Sequence, residues 1–382
     1  MDGLPLNEMT PKFHIARYNP ACVIFFSITG LVLQIPVIYV HCGIFSRPNI
    51  PVIIMALSYV YMCISITLTA FGFNSDDPSH YWSGKGWCDV DVRMQISLCL
   101  CILSTQCVIN WNLLGMLNDR PRLARGRQAY TRAAIELLAC LFLPIVSMAI
   151  STFFMRSRFE IIQDMGCLSN TDTSVALIIV YAMWLPILGI IALVTMIIIM
   201  YNFYKRGKDK TFRTISFIPN MSVSQFIRII VFSLVVTCIF VPLCIALAVI
   251  NFVSIGEIGV SALAWLHGKP ATWEDINVFT LQEVEIAANG VTKASVIVNF
   301  ITRYINIVIA WLLFLCYGTG ALALEAYKKT YHIILSWFGR EIISDDDQST
   351  TYSFESQSKS PIIMFKGNSS PLTLQESSPE MV

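Results

Sequence analysis

Residues 229–256 read IIVFSLVVTCIFVPLCIALAVINFVSIG, without one Asp, Glu, Lys or Arg. A helix rises about 1.5 Å per residue, so this run exceeds the roughly 30 Å hydrocarbon core of a bilayer. Its apolar residues fill whole turns instead of alternating, which favours a helix over a strand of a membrane barrel. Five more charge-free runs, 18–46, 48–75, 94–118, 137–155 and 173–204, share this character. A seventh, 304–324, lengthens if Arg303 is admitted to the protein interior. The expected fold is all-α, a seven-transmembrane helix bundle with helices at about 20–42, 50–73, 92–117, 134–154, 175–203, 227–252 and 296–320.

Composition agrees with a chain that sits mostly in lipid. Of 382 residues, 55% are hydrophobic and 13% charged. An ordinary soluble domain carries about 25% charged residues, and half that share cannot coat its surface. The net charge of +1 supplies no field to recruit a polyanion, so nucleic acid is not an expected partner. The first run is too long, and too poor in preceding positive charge, for a cleaved signal peptide, and is read as helix 1.

Lysine and arginine set the orientation. The segments 43–49, 118–133, 204–228 and 321–341 together hold fifteen, whereas the N-terminus with 74–93, 155–174 and 253–293 holds eight. This asymmetry predicts an extracellular N-terminus over 1–19 and a cytosolic C-terminal tail, in a multi-pass membrane protein. The glycosylation-type triplets at Asn220 and Asn368 then fall on the cytosolic side and read as chance. Residues 321–341 mix apolar and basic residues as a membrane-surface amphipathic helix does. Residues 342–382 are rich in Ser, Thr and Asp, too polar to fold, and read as a disordered tail open to phosphorylation. Pro36, Pro144, Pro186 and Pro242 lie inside spans, where they kink helices. Those in helices 5 and 6 are hinge candidates, with packing alone the alternative.

Catalytic chemistry is missing from the pattern. The five histidines are scattered, no spacing suits a metal, and no Gly-rich loop would hold ATP. Neither an enzyme nor a cofactor is expected. Transport is the more serious rival, but ionisable residues in the spans are few: Glu136 near the cytosolic end of helix 4 and Arg303 in the outer part of helix 7. Ten of the twelve cysteines lie in or beside apolar runs. Cys88 and Cys167 alone occupy connections on the oxidising side, which predicts a disulfide between them, with two free thiols as the alternative.

The most specific segment is Trp82-Ser-Gly-Lys-Gly-Trp87-Cys88-Asp89-Val90, just before helix 3. Further short motifs follow in order: Asn49-Ile-Pro51, Gly166-Cys167, Tyr181-Ala-Met-Trp184, Phe203-Tyr-Lys-Arg206, Phe226-Ile-Arg228 and Tyr317-Gly318-Thr-Gly320. The set resembles the fungal lipopeptide pheromone receptors, the a-factor type of seven-helix G-protein-coupled receptor, over about 18–335. The long acidic segment 253–293 and the short tail depart from that pattern. The resemblance implies a receptor for a farnesylated peptide mating pheromone that activates a heterotrimeric G protein. Membrane lipid and a second copy of the chain are candidate partners as well. Asp89, Arg93, Tyr181, Trp184, Asn251, Arg303 and Tyr304 stand at outer helix ends as candidate ligand contacts. On the inner face Arg120, Arg122, Arg125, Lys205, Arg206, Lys208, Arg228 and Lys328 are candidate G-protein contacts, although orientation and attraction to anionic lipid account for such charge too. The alternatives are a seven-span receptor for another apolar ligand, or a transporter.

The charge asymmetry carries a direct test. A cysteine placed at Ser222 is expected to resist impermeant thiol reagents on intact cells. Glycosylation of Asn220 or Asn368 would contradict the orientation.

Overall fold

The structure, a computed structural model, describes residues 20–42, 48–75, 77–117, 127–155, 157–170, 178–208, 223–258, 271–281, 283, 290–320, 323–324, 326–328 and 330–331. The expected extracellular segment 1–19, the tail 342–382 and most of 321–341 lie outside the described residues.

Among the described residues, seven helices are long and apolar enough to cross a membrane. They are α1 (Pro20–His41), α2 (Ile50–Gly72), α3 (Trp87–Leu117), α4 (Arg127–Ser151), α5 (Trp184–Lys208), α6 (Val223–Ile258) and α7 (Gly290–Leu313). A π-helical turn precedes α5 at Ile178–Ala182, and another follows α7 at Phe314–Gly318. α3 packs against α2, α4, α5 and α6, and the circuit closes through α6–α7 and α7–α1. The least apolar of the seven, α3, is also the most buried. Lipid demands apolar side chains of the outer helices, whereas a central helix can carry polar ones that meet partners.

Several helix bounds differ from those read off the sequence, for local reasons. α3 starts at Trp87 instead of about 92, so Cys88, Asp89, Asp91 and Arg93 belong to its first turns. α4 starts at Arg127 instead of 134, which makes Glu136 the tenth of 25 residues and not a terminal one. α6 runs beyond both expected ends, to Val223 and Ile258, and α7 starts at Gly290. The expected helix 5 breaks at Met183, and Pro186 falls in the first turn of α5. Proline lacks the N–H that a helix interior needs, but near an N-terminus that donor is unpaired anyway.

Several hydroxyls inside the spans bond the carbonyl one turn back, as Thr29 does to Phe25 at 2.8 Å and Thr105 to Cys101 at 2.8 Å. This satisfies them without a partner helix. Gln34 instead crosses over, donating to the Ala310 carbonyl at 2.7 Å and tying α1 to α7.

A small sheet not foreseen from sequence roofs one end of the bundle. Strand β1 (Glu160–Ile162) pairs antiparallel with β2 (Gly166–Leu168) and parallel with β3 (Asn277–Phe279), in the order β2-β1-β3. The β1–β2 hairpin and β3 come from two different connections, so the sheet joins them. Gly166, at φ +69°, lets the hairpin lie directly on α2, since a Cβ there would sit 2.5 Å from the Thr69 methyl. Beneath it Phe73, Val92, Ile96, Met155, Phe159, Ile161 and Trp273 bury together around Cys88 and Cys167. Asn170 donates to Glu160 at 2.6 Å and Asn277 at 3.3 Å. Burial nevertheless pushes the Glu160 carboxyl above its usual range, against the opposing pull of those bonds.

Cys88 and Cys167 form a disulfide, with Cα atoms 5.4 Å apart and a sequence separation of 79. A closed loop of that length stabilises by about 4–5 kcal/mol in the chain-entropy account. Cys88→Ser and Cys167→Ser are each expected to reduce the amount of folded protein in the membrane, with the double variant no worse than either. Additive losses, or labelling of either thiol in native protein without reduction, would contradict the bridge.

Candidate functional site

The roof is fastened to α3 by more than the disulfide. Its motif builds the helix start residue by residue. Trp82 donates its backbone N–H to Gly72 and packs beside Phe73. Gly84, at φ +63°, leaves the space that the Cys88 sulfur fills and accepts the Cys88 N–H at 2.8 Å. Trp87 stacks on Tyr61, with ring centroids 6.0 Å apart. Asp89 accepts the Gly86 N–H at 3.2 Å, as a carboxylate in a first turn does. Asp89 also pairs with Arg158 of the roof, through Nε at 2.9 Å and through Nη2. Arg158 reaches Glu274 at 3.4 Å, bringing in the connection that carries β3.

Two residues further along α3, Asp91 is fully buried. Its oxygens accept from Tyr61 at 3.1 Å and from Gln95 at 2.7 Å, and Gln95 also donates to the Cys167 carbonyl at 3.3 Å. From the opposite wall Arg303 of α7 donates to the Asp164 carbonyl at 3.4 Å and to that of Met165, holding the hairpin tip. The Phe73 carbonyl accepts the Asp164 N–H at 3.0 Å. Arg303, Tyr304 and Asp164 line a cleft with Val23, Ile66 and Ile307, closed here to about 10 Å³. This cleft lies between the roofed ends of α1, α2 and α7, under the hairpin tip.

The residues singled out from sequence fall into separate groups. Asp89 is spent on fastening the roof. Arg93 follows it by one turn, with its Nε buried and unbonded among the described residues. Tyr181 packs against both the roof cluster and the main core, and Trp184 opens α5 against that core. Arg303 and Tyr304 share the cleft, and Tyr304 sets its ring edge-on to Phe300 at 5.2 Å. The Asn251 side chain lies outside the described residues. At the far end of the bundle Arg120, Arg122 and Arg125 lie outside the described residues, as do the side chains of Arg206 and Lys208. Lys205 and Lys328 are both exposed. Arg228 donates to the Thr319 carbonyl and hydroxyl, both at 3.1 Å, and so latches the start of α6 to the end of the α7 π-turn.

The sequence singles out as site residues neither Arg158 nor the members of a buried network between the two ends. Gln106 donates to Ser233 at 2.7 Å and to Asn110 at 3.0 Å. Ser233 donates to Asn110 at 2.8 Å, and Asn110 donates to the Ala192 carbonyl at 3.2 Å. The network ties α3 to α5 and α6. The signal for it was available: an amide pair one turn apart inside an apolar span.

Residues 22–339 match the Pheromone A receptor family, and the chain belongs to it. That is a family of receptors and not of enzymes. The chain is a multi-pass membrane protein. It is 24% identical over 283 residues to the Pheromone a factor receptor of Saccharomyces cerevisiae, covering 74% of this chain and 56% of that one. It is 22% identical over 273 residues to Pheromone receptor 1 of Ustilago hordei, covering 69% and 74%. The chain thus spans little more than half the length of the yeast relative. Squid rhodopsin superposes with a TM-score of 0.44 at 13% identity, over 86% of this chain and 91% of that one.

Interhelical side-chain hydrogen bonds in membranes contribute about 0.6 kcal/mol on average, up to about 1.7. Asn110→Leu removes several at once. Amides at the start of α6 are expected to exchange about tenfold faster in the purified protein, an opening cheaper by about 1.4 kcal/mol. Asn112→Leu, on a neighbouring face of α3, should leave α6 unchanged. Equal exchange in both variants would show that the network does not hold α6.

Proposed function

We propose that this protein is a plasma-membrane receptor for a prenylated peptide mating pheromone and signals through a heterotrimeric G protein. Its N-terminus and disulfide-braced roof face outward. The observation that carries the reading is the roof itself: a sheet seated on α2, bridged to α3 and gripped by α7, which covers the cleft between α1, α2 and α7. An aqueous ligand would meet a lid. A lipidated one would partition into the outer leaflet and arrive laterally. Family membership and the printed names of the relatives support the ligand class.

A farnesyl group carries about 15 carbons, and a buried CH₂ is worth about 0.8 kcal/mol, so the lipid is on the order of 10 kcal/mol of the transfer from water. The polar part of the peptide would then meet Arg303, Tyr304, Asp91 and Arg93 at the mouth, with Tyr181 in the turn before α5 and Trp184 at its start as further contacts, and Asn251 a further candidate. Asp89 acts on the ligand only through the roof. Displacing the hairpin tip from Arg303 would loosen α7, and through the α6–α7 latch at Arg228 the opposite face. There the basic residues Arg120, Arg122, Arg125, Lys205, Arg206, Lys208, Arg228 and Lys328 would meet the G protein.

The test is nucleotide exchange on a G protein reconstituted with the receptor. A farnesylated peptide of the matching mating type is expected to stimulate exchange, and its unprenylated twin to need at least about a hundredfold more. Equal potency of the two would overturn the lipid reading. Solute flux through receptor vesicles without any exchange would overturn the receptor reading.

A further inference from the structure

A second cavity lies away from the roof, on the lipid-facing side of α3, α4 and α5. It is an open groove of about 930 Å³, within the roughly 300–1,000 Å³ span of small-molecule sites. Its walls are mostly apolar: Trp111 and Gly115 from α3, Ile135 and Ala139 from α4, Ile191 from α5. Trp111 and Ile135 are each 62% exposed. A Cβ built on Gly115 meets nothing within 4 Å, so α3 leaves open space there.

The groove also holds an ion pair. Arg132 Nε donates to Glu136 Oε1 at 3.2 Å, Asn112 donates to the same oxygen at 3.2 Å, and Arg132 Nη2 donates to Asn112 Oδ1 at 3.2 Å. Glu136 stands nine residues beyond the start of α4, about 13 Å along the helix axis, and inside the apolar span Tyr130–Phe154. Ionisable groups inside a span are costly, and they mark function more often than packing. This pair joins neither the roof nor the Asn110 network, and it lines the groove.

Its chemistry selects among membrane lipids. One cation and one anion leave no net charge. A phosphate drawn to Arg132 would be repelled by Glu136 and would have to leave the headgroup region. A hydroxyl suits both: it accepts from the guanidinium and donates to Glu136 Oε2, which holds no hydrogen bond among the described residues. The remaining wall, with an indole face and the gap beside Gly115, fits a rigid apolar body. We propose that this groove is a binding site for a membrane sterol, its hydroxyl on Arg132 and Glu136 and its ring system running toward the bilayer centre. The site requires only that α3, α4 and α5 lie in lipid, so it stands whether or not the pheromone reading does.

The test uses the full chain in phosphatidylcholine nanodiscs with a photoreactive sterol. Saturable labelling is expected within 107–115 and 128–139, displaced by excess sterol and not by phosphatidylinositol or a free fatty acid. Gly115→Leu and Ala139→Phe fill exposed space without clashing, and each is expected to cut labelling at least tenfold. Glu136→Leu should weaken sterol competition to a similar degree. Non-saturable labelling, equal competition by phosphatidylinositol, or full labelling of the two filled variants would overturn the proposal. Should a variant fail to fold, the competition on the wild-type chain decides the matter alone.

Discussion

The tie between the 155–168 connection and the first turns of α3 is the constraint on which the roofed side of the molecule depends. The Cys88–Cys167 bridge supplies its covalent part, and the Asp89–Arg158 pair and the Asp91–Gln95–Cys167 chain supply the polar part. These three lie within two turns of one helix. A three-residue strand cannot hold itself in place, and an isolated hairpin is marginal in water. Fastened to α3, the hairpin gains an apolar bed around Phe73, Phe159 and Trp273, and β3 gains an edge to pair with. Arg303 then needs only two carbonyls to close the remaining side.

Two further couplings follow from where this fastening leaves the helices. α3 runs from the roof through the whole bundle, so its deep amides can hold α5 and α6 in register with the lid. α7 takes the hairpin tip at Arg303 and, beyond its π-turn, accepts the α6 latch from Arg228 at Thr319. Tyr317 in that turn packs edge-on against Phe232 of α6 and His41 of α1. A shift at the mouth therefore meets α6 by two routes, one through α3 and one through α7. Each route is a chain of discrete contacts between packed helices.

Much of this was legible in the sequence, and the rest was hidden for physical reasons. Lipid leaves so little freedom that charge-free runs locate seven helices. The same logic misplaced the start of α3, because Asp89, Asp91 and Arg93 look like a solvated loop until Arg158, Tyr61 and Gln95 are seen to meet or flank them. The start of α4 was set too late because Arg127 and Arg132 read as loop charge, which in turn hid how deep Glu136 sits. The strands are three residues long, too short to show a period of two, and their pairing is wholly tertiary. The Trp82–Val90 motif was read as a badge of family. Its physical content, a left-handed glycine, a stacked indole, a bridged sulfur and a paired carboxylate, emerges only with its partners. Gln106 and Asn110 were in plain view, polar residues in a buried span, and pointed to the network without naming Ser233.

Whether occupation of the roofed mouth moves the far end of α6 is settled most directly by a distance. Spin labels at Ser224, exposed at the start of α6, and at Tyr130, exposed on α4, report it in nanodiscs once the exposed Cys22, Cys42 and Cys238 are replaced. With a farnesylated peptide of the matching type the distance distribution is expected to shift by several ångströms, and to stay put with the unprenylated twin. An unchanged distribution at saturating farnesylated peptide would contradict the coupling from roof to α6.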